Sequence, residues 1–245
     1  MRLATIIVAG LFLTAAKAET LTIAVASNFV PVAEEIAAAF EAETGDAVRI
    51  SAGSTGKLHT QVLHGAPYDI FLSADSQSPS LLEASGHGVA DSRFVYARGI
   101  LVLWSMDEVA SCSFHFNDLG AARVAIANPI TAPYGRAAKE FLELTGGWER
   151  ISSQIVYGEN VAQALHFAAT SNARYAIVAK SQSLDPNLPE ASCARQIPEE
   201  TYMPIKQEAL LLQRAADNPT AVQFLEYLQS AAVRDTIRRM GYGVP

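Results

Sequence analysis

The sequence lacks features that several classes of protein need. Only two of its 245 residues are cysteines, Cys112 and Cys193, which is too few for a disulfide scaffold or a four-cysteine zinc site. Lysine and arginine number 18 against 25 acidic residues, and the formal net charge of −7 argues against a nucleic-acid partner. No uncharged apolar run reaches the ~20 residues of a membrane-spanning helix. The five histidines show no metal-binding spacing such as HExxH, so each is interpreted as a surface or packing residue.

The chain does contain enough apolar material for a substantial core. Hydrophobic residues make up 50% of it and charged residues 18%, which excludes a disordered or low-complexity protein. A length of 245 residues corresponds to one large domain or two small ones.

The N-terminus is typical of an export signal. Arg2 supplies a positive charge, residues 3–13 are apolar, and a triplet of the form small-x-small ends at Ala18. We therefore predict a signal peptide at 1–18, so that the mature chain begins at Glu19 outside the cytoplasm with a net charge of −9. An N-terminal core helix or strand is the alternative.

Export also bears on the two cysteines. In an oxidising compartment two cysteines can pair, and we predict a disulfide between Cys112 and Cys193. Two unpaired buried thiols are the alternative.

Strand and helix patterns alternate along the chain. Runs rich in β-branched residues are followed by segments whose larger apolar residues recur at helical spacing, as at Val32, Ile36 and Phe40. Strands are predicted at 21–25, 47–51, 69–73, 123–127, 154–157, 175–179 and 208–212, and helices at 32–40, 57–63, 79–84, 135–145, 161–169 and within 219–240. This order predicts parallel sheets with right-handed helical crossovers.

A β-rich stretch at 94–104 interrupts the alternation and leads into a second series of strands and helices. After a proline-rich segment the chain returns to the first series near residue 205. We therefore predict two α/β units, the first formed by 19–100 plus 205–245 and the second by 101–204.

Four turns share one feature: each follows a strand, contains small, hydroxyl or amide residues, and opens a helix. They are Ala26-Ser27-Asn28, Gly53-Ser54-Thr55-Gly56, Ala132-Pro133-Tyr134-Gly135 and Gly158-Glu159-Asn160-Val161. Ligands of open α/β sheets bind outside the carboxyl ends of the strands, and a helix N-terminus has unpaired N–H groups and about half a positive charge. Four such termini around a cleft predict an anion site without side-chain cations. For each single turn, ordinary N-capping is the alternative.

With these turns, the chain resembles the periplasmic molybdate-binding proteins of ABC importers over nearly all of its mature length. The motifs that carry the resemblance are ASNF at 26–29, ISAGSTG at 50–56, GAPYDIFLSAD at 65–75, RFVYA at 93–97, LVLW at 101–104, ANP at 127–129, APYG at 132–135, ENVAQA at 159–164 and GY at 241–242. The motif at 65–75 is highly specific, and the common order of all of them makes the resemblance strong.

The resemblance implies a type II binding-protein fold. This fold is α/β with two lobes, each a mainly parallel sheet flanked by helices, and it holds the ligand in the cleft between them. The resemblance also implies a periplasmic monomer that captures molybdate or tungstate and delivers it to the membrane permease of an ABC importer, without a cofactor and without catalysis.

The resemblance further implies which residues hold the oxyanion through side-chain or backbone donors. Carried over position by position, these are Ser27, Asn28, Ser54, Thr55, Tyr134 and Val161. Thr55 stands where the family commonly has serine, and Val161 would contribute its backbone N–H. Some members add a tyrosine from the last strand of the second lobe, where this chain has Ala179, and Tyr134 is expected to replace that donor. No residue is expected to contact molybdenum directly.

Neutral donors suit molybdate because it is a fully ionised dianion at neutral pH. Phosphate keeps a proton and needs an acceptor. The only acidic residue in the four turns, Glu159, is interpreted as a residue that favours the helix dipole, and an acceptor for a phosphate proton is the alternative. Lys57 and Arg136 are interpreted as solvated charges.

Other functions remain open at this point. A binder of sulfate, phosphate or another anion would use the same turns, and so would a sensor. A secreted hydrolase has less support, because a GxSxG elbow is absent and nothing in the sequence places a histidine beside a candidate serine.

Overall fold

The computed structural model describes residues 20–108, 112 and 121–245. The predicted signal peptide at 1–18 and the predicted mature N-terminus at Glu19 lie outside the described residues, as does His115.

Ten strands and nine helices are assigned within the described residues. The strands are β1 (Thr20–Ala26), β2 (Ala47–Gly53), β3 (Ile70–Leu72), β4 (Phe94–Gly99), β5 (Leu101–Ser105), β6 (Val124–Ala127), β7 (Ile155–Gly158), β8 (Tyr175–Ala179), β9 (Cys193–Gln196) and β10 (Ile205–Leu211). The helices are α1 (Val30–Thr44), α2 (Thr55–Leu63), α3 (Gln77–Ala84), α4 (Pro133–Leu144), α5 (Trp148–Ile151), α6 (Val161–Ala169), α7 (Lys180–Ser183), α8 (Pro219–Leu228) and α9 (Ala231–Arg239).

The strands form two five-stranded sheets. The first has the order β2-β1-β3-β10-β4 and the second the order β7-β6-β8-β5-β9. In each sheet the first three strands are parallel, as predicted, but the remaining two pairings are antiparallel, so both sheets are mixed. The reversed strand of each sheet, β10 or β5, is the one that the chain enters from the other sheet: β4 leads directly into β5, and β9 is followed by β10. Parallel neighbours in a sheet are joined by a helical crossover, whereas a strand that the chain enters from the other sheet has no such connection and can run in the opposite direction.

Each sheet with its helices is called a unit below: the first unit holds α1, α2, α3, α8 and α9, and the second holds α4 to α7. Their central strands are near-continuous apolar runs because helices cover both faces of the sheet. All five residues of β5 and of β8 are buried. The predicted stripe Val32, Ile36 and Phe40 of α1 is likewise buried in the core of the first unit.

Sequence patterns did not reveal β9, α5 or α7. Strand β9 lies at the edge of the second sheet, and of its four residues only Cys193 is buried. Its remaining residues, Ala194, Arg195 and Gln196, are exposed, so the alternation that marks a half-buried strand is missing. Helices α5 and α7 have four residues each, which is too short for a helical period to show.

The side chains of Cys112 and Cys193 form a disulfide, with their Cα atoms 5.4 Å apart. The bond ties residue 112 to β9, across 81 positions of sequence. In the chain-entropy account, a cross-link over such a loop restricts the unfolded chain and stabilises the folded protein.

We expect the double variant Cys112→Ala/Cys193→Ala to lose up to about 4 kcal/mol of unfolding free energy. Urea unfolding of the two proteins measures this loss. A reductant should destabilise the natural protein by a similar amount and leave the double variant unchanged. If the reductant changed neither protein, the bond would not contribute to stability.

Candidate functional site

The four turns that open helices meet at one place between the two units. They lie at the carboxyl ends of β1, β2, β6 and β7 and surround a small cavity. The space open to the centre of a water-sized sphere is about 10 Å³, which is room for about one water molecule. Its lining residues are Ala26, Ser27, Asn28, Gly53, Ser54, Thr55, Ala74, Ala132, Pro133, Tyr134 and Val161. The structure therefore brings together all six sequence-predicted binding residues, and none of the lining side chains is charged.

Ser54 precedes the first turn of α2 and is 2% exposed. Its side chain does not cap the helix, and its Oγ has no hydrogen-bond partner among the described residues. A buried hydroxyl left in that state costs about 1–3 kcal/mol. The ordinary N-cap interpretation is therefore wrong for Ser54, and its hydroxyl is available to a ligand in the cavity.

The neighbouring hydroxyl of Thr55 is oriented by a loop of the same unit. Its Oγ1 accepts a hydrogen bond from the backbone N–H of Ala74 at 3.0 Å. Because the oxygen accepts in this bond, the hydroxyl proton is left to be donated. The turn thus presents two hydroxyl donors side by side, followed by the N-terminus of α2.

The turn before α6 is built differently. Asn160 is an ordinary N-cap, since its Oδ1 accepts from the backbone N–H of Gln163 at 3.0 Å. Val161 occupies the first helical position and is 2% exposed. Backbone N–H groups at that position have no acceptor within the helix, so Val161 can supply a main-chain donor.

Asn28 lies in a short 3₁₀ turn, Ser27–Phe29, directly before α1. Its side-chain Nδ2 donates to Oε1 of Gln207 at 2.9 Å and to Oη of Tyr242 at 3.1 Å. Both amide hydrogens are thereby engaged within the first unit. The main chain of the turn is what Asn28 can offer to the cavity, together with Ser27.

Tyr134 lies in the first turn of α4 and is 1% exposed. Its Oη accepts a hydrogen bond from Nε2 of Gln207 at 3.3 Å. Burial raises the pKa of this hydroxyl well above its usual range. The group therefore keeps its proton at any physiological pH and can act as a donor.

The charged residues near the turns are about half exposed, as the interpretation from sequence expected, but they also form ion pairs that it did not include. Lys57 forms an ion pair with Glu159, and Arg136 pairs with Asp75, with Nη2 and Oδ2 2.8 Å apart. Both pairs join the first unit to the second. Pairs as exposed as Lys57–Glu159 are typically worth less than about 1 kcal/mol, so they brace the contact between the units weakly.

A backbone contact also joins the units beside the cavity. The N–H of Gly56, in the first turn of α2, donates to the carbonyl oxygen of Thr131 at 2.8 Å. A Cβ atom at Gly56 would lie 3.0 Å from this same oxygen. The units approach so closely here that glycine fits without adjustment and a larger residue does not.

A profile of the family described as "Bacterial extracellular solute-binding protein" matches residues 21–243. The chain belongs to this family. It is 39% identical to the molybdate-binding protein ModA of Azotobacter vinelandii, over 99% of this chain and 97% of the relative. It is also 39% identical to the ModA protein of Rhodobacter capsulatus, over 96% and 92% of the two chains.

The solved structure of the Azotobacter vinelandii periplasmic molybdate-binding protein superimposes with a TM-score of 0.85 at 34% identity. The match covers 92% of this chain and 99% of that structure. The resemblance inferred from sequence motifs and the expected two-lobed α/β fold are therefore confirmed.

Within the described part of the chain, no helix is long and apolar enough to cross a membrane. No group of three or more histidine, cysteine, aspartate or glutamate side chains there could hold a metal ion.

Sequence reasoning missed the polar residues behind the cavity, chiefly Gln207, Tyr96 and Tyr242. Gln207 is fully buried in β10, although it stands between Lys206 and Glu208 in the sequence. These charged neighbours give the segment the pattern of an exposed one, so the sequence offered no signal that the amide is buried and hydrogen-bonded.

Proposed function

We propose that this protein captures molybdate in the cavity between its two units. The relatives named molybdate-binding proteins and the uncharged set of donors around the cavity both support this proposal. The observation that carries it is the hydroxyl of Ser54, which is buried in the cavity wall without a hydrogen-bond partner among the described residues. Tungstate has the same charge and nearly the same shape, so we propose it as a second ligand.

The proposed binding residues are the six predicted from sequence. Ser54, Thr55 and Tyr134 would donate from their hydroxyl groups, and Val161 from its backbone N–H. Ser27 and Asn28 would act from the 3₁₀ turn, with Asn28 contributing its main chain because its side-chain amide is engaged elsewhere.

This donor set favours an anion that carries no proton. Helix N-termini attract negative charge through their dipoles and unpaired N–H groups, and neither needs a side-chain cation. Hydrogen phosphate would have to donate its own proton, but no carboxylate lines the cavity. Sulfate has the right charge and is smaller than molybdate, so cavity size must discriminate against it.

The wider role follows from this ligand. We propose a periplasmic monomer that delivers the anion to the permease of an ABC importer and catalyses no reaction. Residues 19–100 plus 205–245 would form one lobe and residues 101–204 the other. The first lobe would carry four of the six donor residues and the second lobe two, so the ligand would favour the form in which the lobes are closed.

Calorimetric titration of the protein with molybdate, tungstate, sulfate and phosphate tests this function. We expect tight binding of the first two anions and much weaker binding of sulfate and phosphate. Tight binding of sulfate or phosphate with none of molybdate would contradict the proposal.

The closed form can be tested at Gly56. Gly56→Ala should weaken molybdate binding on the order of tenfold, because the new methyl group forces the carbonyl of Thr131 away. Unfolding free energy should stay the same or rise, since alanine is the better helix former by about 1 kcal/mol. Titration calorimetry and urea unfolding measure the two effects.

Gly65→Ala is the matched control. Gly65 has a φ of +80° and no atom within 4 Å of an added Cβ, so its replacement strains the backbone without a contact between units. This variant should lose stability and keep its affinity. An unchanged affinity in Gly56→Ala would show that the units do not meet at this contact when the ligand is bound.

A further inference from the structure

A chain of buried hydrogen bonds lies behind the cavity and links the first turn to the third. Gln207 is at its centre, where β10 shifts register against β4 between residues 207 and 208. Its Oε1 accepts from Asn28, and its Nε2 donates to Tyr134. Gln207 is 0% exposed, and Asn28 and Tyr134 are 2% and 1% exposed. These bonds are shielded from water and therefore keep a fixed direction.

The direction of the chain is set at a backbone carbonyl. The oxygen of Asn28 can only accept, so the hydroxyl of Tyr242, at 2.6 Å, must donate to it. The oxygen of Tyr242 then accepts from Nδ2 of Asn28, which fixes the orientation of that amide. The same Nδ2 donates to Oε1 of Gln207, so the Nε2 of Gln207 must face Tyr134. The single hydroxyl proton of Tyr96 is shared between Gln207 and the carbonyl oxygen of Ser73.

The chain of hydrogen bonds ends at the hydroxyl of Tyr134. Its oxygen accepts from Gln207, and the described residues provide no acceptor for its proton. Tyr134 lines the cavity. The hydroxyl proton is therefore what Tyr134 can donate to a ligand, while its oxygen already accepts from Gln207.

We propose that Gln207 is a specificity-determining residue, which holds the Tyr134 hydroxyl as a donor and thereby excludes anions that carry a proton. This inference rests on the proposed function, because it concerns the same cavity. To bond with Tyr134 through its proton, a hydrogen phosphate ion would have to donate to an oxygen that already accepts from Gln207. Sulfate and molybdate carry no proton, so this chain of hydrogen bonds does not distinguish between them.

The test is Gln207→Met, which keeps the length of the side chain and removes both hydrogen-bonding groups. Affinities for molybdate, sulfate and phosphate are measured by calorimetry at about pH 8, where hydrogen phosphate is the main phosphate species. We expect the ratio of molybdate to phosphate affinity to fall about tenfold, and the ratio of sulfate to phosphate affinity to fall by the same factor. The ratio of molybdate to sulfate affinity should not change.

Two further variants separate this role from a structural one. In a Tyr134→Phe background, Gln207→Met should leave the molybdate-to-phosphate ratio unchanged, because the hydroxyl that it orients is gone. Gln182→Met changes another buried glutamine, which contacts the carbonyl of Ser27 and is not part of this chain of hydrogen bonds. It should also leave the ratios of the molybdate, sulfate and phosphate affinities unchanged.

Equal losses for all three anions in Gln207→Met would overturn the proposal and leave Gln207 with a packing role. If the natural protein bound sulfate and not molybdate, the proposed function would fail, but the sulfate-to-phosphate ratio would still decide the role of Gln207. Tight binding of phosphate by the natural protein would overturn both.

Discussion

Replacing Ser54 by alanine is expected to weaken molybdate binding about ten- to a hundredfold, since a hydrogen bond to a charged group is worth ~1.5–3 kcal/mol. The ligand-free protein should not lose stability in return. The Oγ of Ser54 is buried and has no partner among the described residues, so its removal deletes an unsatisfied group. Calorimetry with molybdate and urea unfolding without it measure the two quantities.

This variant is informative because the affinity for molybdate should fall while the unfolding free energy should not. Ser153→Ala is the matched control, because Ser153 is exposed in a 3₁₀ turn of the second unit and should affect neither quantity. A Ser54→Ala protein with lowered stability and unchanged affinity would show that the hydroxyl supports the fold and does not contact the ligand.

Gly135→Ala is expected to reduce unfolding free energy by about 3 kcal/mol and to abolish measurable molybdate binding. A Cβ at Gly135 would lie 2.2 Å from the carbonyl oxygen of Ala127, at the end of β6. The atoms nearest to this Cβ are all main-chain atoms of Ala127 and Asn128, so no flexible side chain can move aside. Helix α4 must shift away from the sheet, and Tyr134 moves with it.

Gly146→Ala is the appropriate comparison, because Gly146 follows the other end of α4. It has a φ of +69° and nothing within 4 Å of an added Cβ, so its replacement costs only backbone strain of about 1–2 kcal/mol. Thermal or urea unfolding and molybdate titration of both variants give the comparison. Equal stability losses with intact binding in both would show that α4 tolerates displacement from β6.

Local patterns in the sequence were sufficient for most of the fold. The stripe at Val32, Ile36 and Phe40 predicted a helix that packs on a sheet, and the structure buries all three. Small and hydroxyl residues after predicted strands indicated where the helices begin, as at Ser54. These signals are local, because the periodicity of a helix or strand is imposed by the surface on which it packs.

Contacts between distant residues could not be predicted in this way. Lys57 and Glu159 pair across 102 positions, and Asn28 and Gln207 across 179. No periodicity encodes such partners, so neither the ion pair of Lys57 nor the hydrogen bonds of the Asn28 side chain could be predicted. The antiparallel pairings of β5 and of β10 were unexpected for the same reason, since the strands with which they pair lie far away in sequence.

The position of β10 determines how the protein must be assembled. This strand lies between β3 and β4, more than 100 residues after either, whereas all five strands of the second sheet come from one continuous stretch. During synthesis the second unit can complete its sheet as soon as β9 has emerged. The first unit must wait with β4 unpaired until the last quarter of the chain arrives, because that stretch supplies its missing partner. A chain that ended before Ile205 would thus contain every strand of the second sheet, whereas the first sheet would lack β10.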